Sequence, residues 1–150
     1  MVSLTIFDSI YDNNTSKRVD YKDFDQFEQI LYKLAKEKSF KQKKDAPLIS
    51  PATYVESSKR ANANVVAWGG FGIVDVDDYV GTVEDIQKQY EEYRYICYST
   101  ASSTKENPKF RLVFPLTKWV DNEQIKHFWY ALNKEIGDIA DVQTKDLSRM

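Results

Sequence analysis

The chain has one cysteine and one histidine in 150 residues, no long apolar run and no excess of basic charge. Each scarcity removes a class of function. Zinc sites and thiol catalysis draw on sets of Cys and His that are missing here, and Cys97, inside Tyr95-Ile96-Cys97-Tyr98, reads as a buried structural thiol. A membrane helix needs roughly 20 consecutive apolar residues, and none are present. The opening Met1-Val2-Ser3-Leu4-Thr5-Ile6-Phe7 is too short and too soon polar for a secretory signal, so the expectation is a cytoplasmic protein. The net charge of −2 lacks the overall basic footprint of a tight non-specific DNA binder, although the stretch from Lys33 to Lys44 is basic and that from Asp75 to Asp85 acidic. No internal repeat or low-complexity segment stands out.

What is present is a hydrophobic content of 42% with 14% aromatic residues, enough to exclude a disordered chain. The length suits one domain, residues 1–150. Its most informative run is Ile73-Val74-Asp75-Val76-Asp77-Asp78, preceded by Gly69-Gly70. In a strand, Asp75 and Asp77 project from one face, with Val74 and Val76 packed behind them. Two carboxylates on one face repel unless neutralised, and Mg²⁺ or Mn²⁺ with a bound phosphate is the usual hard-cation answer. The plainer reading is a strand ending in a solvated acidic turn.

Periodicity places a strand at Leu4 to Phe7 and a helix from Asp23 to Lys38, with Phe24, Phe27, Ile30, Leu31, Leu34 and Ala35 on one side. Phe40 to Asp45 reads as a basic tether, and Pro47 to Pro51 as extended or turn backbone. Asn64 to Trp68 and Phe71 to Asp77 read as two strands with Gly69-Gly70 as a hairpin turn. Thr82 caps a helix through about Tyr93, Arg94 to Thr100 and Lys109 to Leu116 are strands, and Asp121 opens a helix that Gly137 stops. The order predicts an α+β fold, a mixed or antiparallel sheet covered by helices.

Further groups could serve phosphate chemistry. Lys109 and Arg111 share one face of a strand, where they suit a triphosphate or neutralise Asp75 and Asp77 in a structural ion-pair network. Asp138, Asp141 and Asp146 cluster near Lys145 and Arg149 after the last helix, either as further site residues or as a solvated terminus. Trp68, Phe71, Tyr90, Tyr93, Tyr95, Tyr98 and Trp119 could stack on single-stranded template, but core packing is the better reading for most. Lys36, Lys38, Lys41, Lys43 and Lys44 either track a nucleic-acid backbone or form a solvated helix end.

Four segments in order, Ser50-Pro51-Ala52-Thr53-Tyr54, Val74-Asp75-Val76-Asp77-Asp78, Tyr98-Ser99-Thr100 through Phe110-Arg111-Leu112-Val113-Phe114-Pro115-Leu116, and Asp141 with Lys145-Asp146-Leu147-Ser148-Arg149-Met150, resemble the catalytic domain of phage and plasmid primases of the archaeo-eukaryotic primase superfamily, the primase-polymerases. The resemblance implies a primase-type, RRM-like fold and a two-metal nucleotidyltransferase using Mg²⁺ or Mn²⁺. Asp75 and Asp77 match the family's hydrophobic-Asp-hydrophobic-Asp motif and Asp141 its third acidic motif, together the implied metal ligands and catalytic residues. Lys109, Arg111 and Ser103 fall where nucleotide contacts are implied. The implied partners are nucleoside triphosphates, a single-stranded DNA template and a helicase module or other replication protein. The family's second motif normally carries a histidine, and Ser103 stands in its place. A serine hydrogen-bonds phosphate but adds no positive charge. The chain also stops at Met150, where the family continues into a further strand, so the expectation is either a domain truncated at its C-terminus or a naturally minimal protein. Three functions follow: a primase or polymerase, a degenerate primase-like module that binds DNA or a replication partner, and a metal-dependent nuclease or nucleotide hydrolase.

Overall fold

The computed structural model describes residues 1–37, 47–100, 102–141 and 147–148; in the first helix, side chains are described as far as residue 33. Strands β1 (Val2–Phe7) and β2 (Arg18–Tyr21) precede helix α1 (Phe24–Glu37). Strands β3 (Leu48–Ser50), β4 (Ala52–Tyr54), β5 (Val65–Trp68) and β6 (Phe71–Val76) follow, then helix α2 (Val83–Gln89). Strands β7 (Ile96–Ser99), β8 (Phe110–Pro115) and β9 (Val120–Asp121) lead into helix α3 (Ile125–Glu135). The class is α+β, as the order of elements predicts. The strands divide among three antiparallel three-stranded sheets, β2-β1-β3, β4-β5-β9 and β6-β8-β7, rather than lining up in one.

The β6-β8-β7 sheet is apolar on both faces, and this explains the near-continuous hydrophobic run of β6, buried at all six positions. On one face Phe71, Ile73, Ile96 and Val113 pack with Val2 and Leu4 of β1 and Phe24 and Phe27 of α1. On the other, Val74, Val76, Phe110 and Leu112 pack with Ile86 of α2 and with Ile125 and Trp129 of α3. Asp75 therefore continues the row of Phe71 and Ile73, on the side that faces α1.

Gly69-Gly70 is not a hairpin turn. β5 pairs with β4 and β9 while β6 pairs with β8, so the two glycines carry the chain from one sheet to another. The reason is tertiary. Gly69 lies against the backbone of Ser3, whose carbonyl oxygen a Cβ would overlap, and its own carbonyl accepts from the Ser3 amide at 2.8 Å. Gly70 adopts a φ of 92° and accepts from the Leu116 amide at 2.9 Å.

Helix ends follow their caps. Asp23 Oδ1 accepts from the Gln26 amide at 2.9 Å and starts α1 as expected. A reciprocal capping box between Thr82 and Asp85 starts α2, which stops at Gln89 rather than near Tyr93, because Tyr90 turns inward and its hydroxyl donates to the Ile136 carbonyl. Asp121 ends β9 and gives no side-chain cap; a short 3₁₀ turn, Asn122–Gln124, leads into α3.

Candidate active site

Asp75 sits directly opposite Arg111 of β8, and Arg111 directly opposite Tyr98 of β7, so three polar side chains form one row across three strands. The Asp75 carbonyl accepts from the Asp141 amide at 2.7 Å, on the side away from β8. Asp75 and Arg111 are thus a non-hydrogen-bonded antiparallel pair, the type in which facing side chains stand closest. Arg111 Nε donates to Asp75 Oδ1 in an ion pair whose side chains are only 11% and 7% exposed. Burial alone would lower the Arg111 pKa, but Tyr98 and Asp75 outweigh it and hold the guanidinium above its usual range. Burial raises the Tyr98 phenol, partly offset by Arg111, whose guanidinium lies within hydrogen-bonding reach of the hydroxyl.

Asp141 reaches β6 through the end of α3. The Gly137 amide donates to the Lys134 carbonyl and the Asp138 amide to the Asn133 carbonyl, a Schellman closure with φ of 89° at Gly137 and 58° at Asp138. Asn133 Oδ1 then accepts from the Ala140 amide at 3.0 Å. These contacts turn residues 138–141 back across the edge of β6. Asp77, just beyond that strand, and Asp141 line the same open cleft of about 420 Å³, with Asp138 and the Tyr79-Val80 segment.

The structure thus pairs Asp75 with Arg111, joins Asp141 to Asp75 through the backbone, and sets Asp77 and Asp141 on one cleft. Ser103 has a structural contact of its own. Ser103 Oγ accepts from the Lys109 amide at 2.9 Å, and the Ser103 amide donates to the Thr100 carbonyl at 3.0 Å, so this serine ties the loop between β7 and β8. Lys109 is half-buried at the mouth of β8. Continuing the β6–β8 register by one residue sets it opposite Asp77.

Lys145, Asp146 and Arg149 lie outside the described residues, as do Lys38 and, in the basic tether, Lys41, Lys43 and Lys44. Trp68, Phe71 and Tyr90 are buried core residues, His127 is exposed on α3, and Cys97 is half-buried with its thiol pushed up to about 11 by burial. Tyr98 was legible only as an aromatic in a strand; its place beside Arg111 depends on a register that local pattern does not reveal. Among the described residues, no three His, Cys, Asp or Glu side chains converge closely enough to hold a metal ion as they stand.

Comparison with known families decides the wider class. Residues 24–150 match the VapE N-terminal domain, a stretch that includes every candidate site residue. The chain belongs to the VapE N-terminal domain family. That family is associated with phage and plasmid replication, which makes this a mobile-element replication-associated protein. No curated protein and no solved structure matches the chain. The VapE match covers α1 onward, leaving only β1 and β2 before it. Among the described residues no helix is long and apolar enough to cross a membrane.

Proposed function

We propose that this VapE N-terminal domain is a nucleotidyltransferase, a DNA primase or polymerase of mobile-element replication that uses Mg²⁺ or Mn²⁺. The observation that carries the reading is the hydrogen bond from the Asp141 amide to the Asp75 carbonyl, which joins the two most distant acidic motifs at the end of β6 beside Asp77. The donor set fits a hard divalent cation in part. Asp77 and Asp141 offer carboxylates to the cleft, while Asp75 has to exchange the Arg111 guanidinium for the metal. When bound, such a metal pair supplies activation of a 3′-hydroxyl and charge stabilisation at the α-phosphate. Of the chain's own residues, Asp77 and Asp141 orient the reacting groups, and Arg111 and Lys109 bind phosphate oxygens. Ser103 keeps the loop beside them in place. The partners this reading requires are nucleoside triphosphates, a single-stranded DNA template and a helicase module or other replication protein, in the cytoplasm.

The test is incorporation of labelled nucleotide on a primed template with Mn²⁺. Wild type incorporates, and Asp77→Asn or Asp141→Asn reduces incorporation by about 100-fold or more, beyond the loss typical of an outer-shell partner. Unchanged incorporation in both variants removes these carboxylates from the mechanism.

A second reading, a non-catalytic module that binds DNA or a replication partner, is favoured by the Asp75–Arg111 pair, which already neutralises the first motif, and by serine at the position of the family histidine. Template binding without incorporation under any metal would establish it over the first.

A further inference from the structure

Two groups that the family resemblance assigns to different ligands, Asp75 to metal and Arg111 to phosphate, are each other's partner in this structure, the ion pair that the strand pattern also allowed. The pair is nearly sealed from solvent, so a divalent cation approaching Asp75 meets a carboxylate already shared with a fixed positive charge. Both positive groups on one buried carboxylate repel strongly at low dielectric. A polyphosphate removes that conflict, because its oxygens offer the guanidinium a charge-assisted partner of the same geometry as a carboxylate. Arg111 also lies on the central strand of its sheet, between Asp75 on one side and Tyr98 on the other.

Resting on the nucleotidyltransferase reading, we propose that Arg111 and Tyr98 form a latch on Asp75: a triphosphate that draws the guanidinium away releases the carboxylate to a divalent cation, and nucleotide and metal therefore bind cooperatively. Tyr98 is the positioning residue. Its hydroxyl lies within hydrogen-bonding reach of the guanidinium and steadies it in the orientation that meets Asp75. The half-buried ring packs with the apolar layer formed by β1 and α1 and is not among the residues that line the cleft, so its action on the site runs through Arg111. Linkage makes the effect reciprocal, so metal tightens nucleotide by the same factor that nucleotide tightens metal.

The test follows Mn²⁺ binding to the full chain by electron paramagnetic resonance, without nucleotide, in wild type, Tyr98→Phe, Arg111→Gln and Arg111→Gln combined with Asp75→Asn. Circular dichroism checks each fold. The latch predicts that Arg111→Gln binds Mn²⁺ at least about fivefold more tightly than wild type, the low end of ordinary coupling. Tyr98→Phe shifts affinity the same way by less, and adding Asp75→Asn abolishes the gain. Equal or weaker Mn²⁺ binding in Arg111→Gln and Tyr98→Phe overturns the latch, and if Arg111→Gln does not fold, Tyr98→Phe decides alone. Nucleotide incorporation by wild type with unchanged Mn²⁺ affinities sinks the latch and spares the enzyme reading. Tighter Mn²⁺ binding in the variants without any incorporation by wild type does the reverse.

Discussion

Asp75 carries its charge on a strand buried at every position, with Arg111 as its ion-pair partner. Such a pair adds little net stability over a well-packed apolar pair, since both ions lose their hydration. Breaking it from one side is different, because the remaining charge stays buried. Asp75→Ala is therefore a structural lesion as well as a chemical one, and its loss of activity alone would not identify a metal ligand. The expected cost is roughly 3–5 kcal/mol in urea denaturation, largely recovered when Arg111→Leu is added. A cost below about 1 kcal/mol, the range of an exposed pair, would mean the pair is open to water in solution. Asp77 and Asp141 are the cleaner residues on which to test chemistry, since both line the cleft.

At the scale of elements, the end of α3 governs the site. Gly137, at φ 89°, has space for a methyl group, with nothing nearer than 3.9 Å, but the left-handed backbone is strained for any residue with a Cβ. Gly137→Ala is expected to cost about 1–2 kcal/mol and to loosen the loop that delivers Asp141. Thermal denaturation measures the cost, and amide exchange at Asp141 reads the loosening; an unchanged exchange rate would separate the cap from the site. Gly137 as a helix stop was legible in the sequence, and so were α1 with its Asp23 cap and the runs of β6 and β8, because each has the length and period that local pattern detects. The shorter strands β2, β3, β4 and β9 run two to four residues and give too little alternation to register. Gly69-Gly70 misled for another reason. Paired glycines between strands signal a hairpin, and only the close approach of Ser3, far away in sequence, makes them a crossing between sheets. The site divided along the same line: Asp75 and Arg111 share a strand pair readable by period two, with Asp77 one step past the end of β6, whereas the contacts of Tyr98 and Asn133 are tertiary.

For the whole molecule, the β6-β8-β7 sheet holds the site between two apolar layers, α1 with β1 on one face and α2 with α3 on the other. The polar row crosses the sheet where β6 leaves this packing and the α3 loop arrives, so the candidate site residues gather at one end of the sheet. A net charge of −2 supplies no general attractive field for nucleic acid. Membership of the VapE N-terminal domain family sets this arrangement in phage and plasmid replication, and the central claim is that Asp75, Asp77 and Asp141 form one metal-nucleotide site. The most direct measurement is anomalous diffraction from crystals grown with Mn²⁺ and a non-hydrolysable nucleoside triphosphate. The account predicts Mn²⁺ density among the three carboxylates, with Arg111 turned from Asp75 onto the phosphates. Nucleotide bound elsewhere, with Arg111 still on Asp75 and no Mn²⁺ beside Asp77 and Asp141, would contradict it.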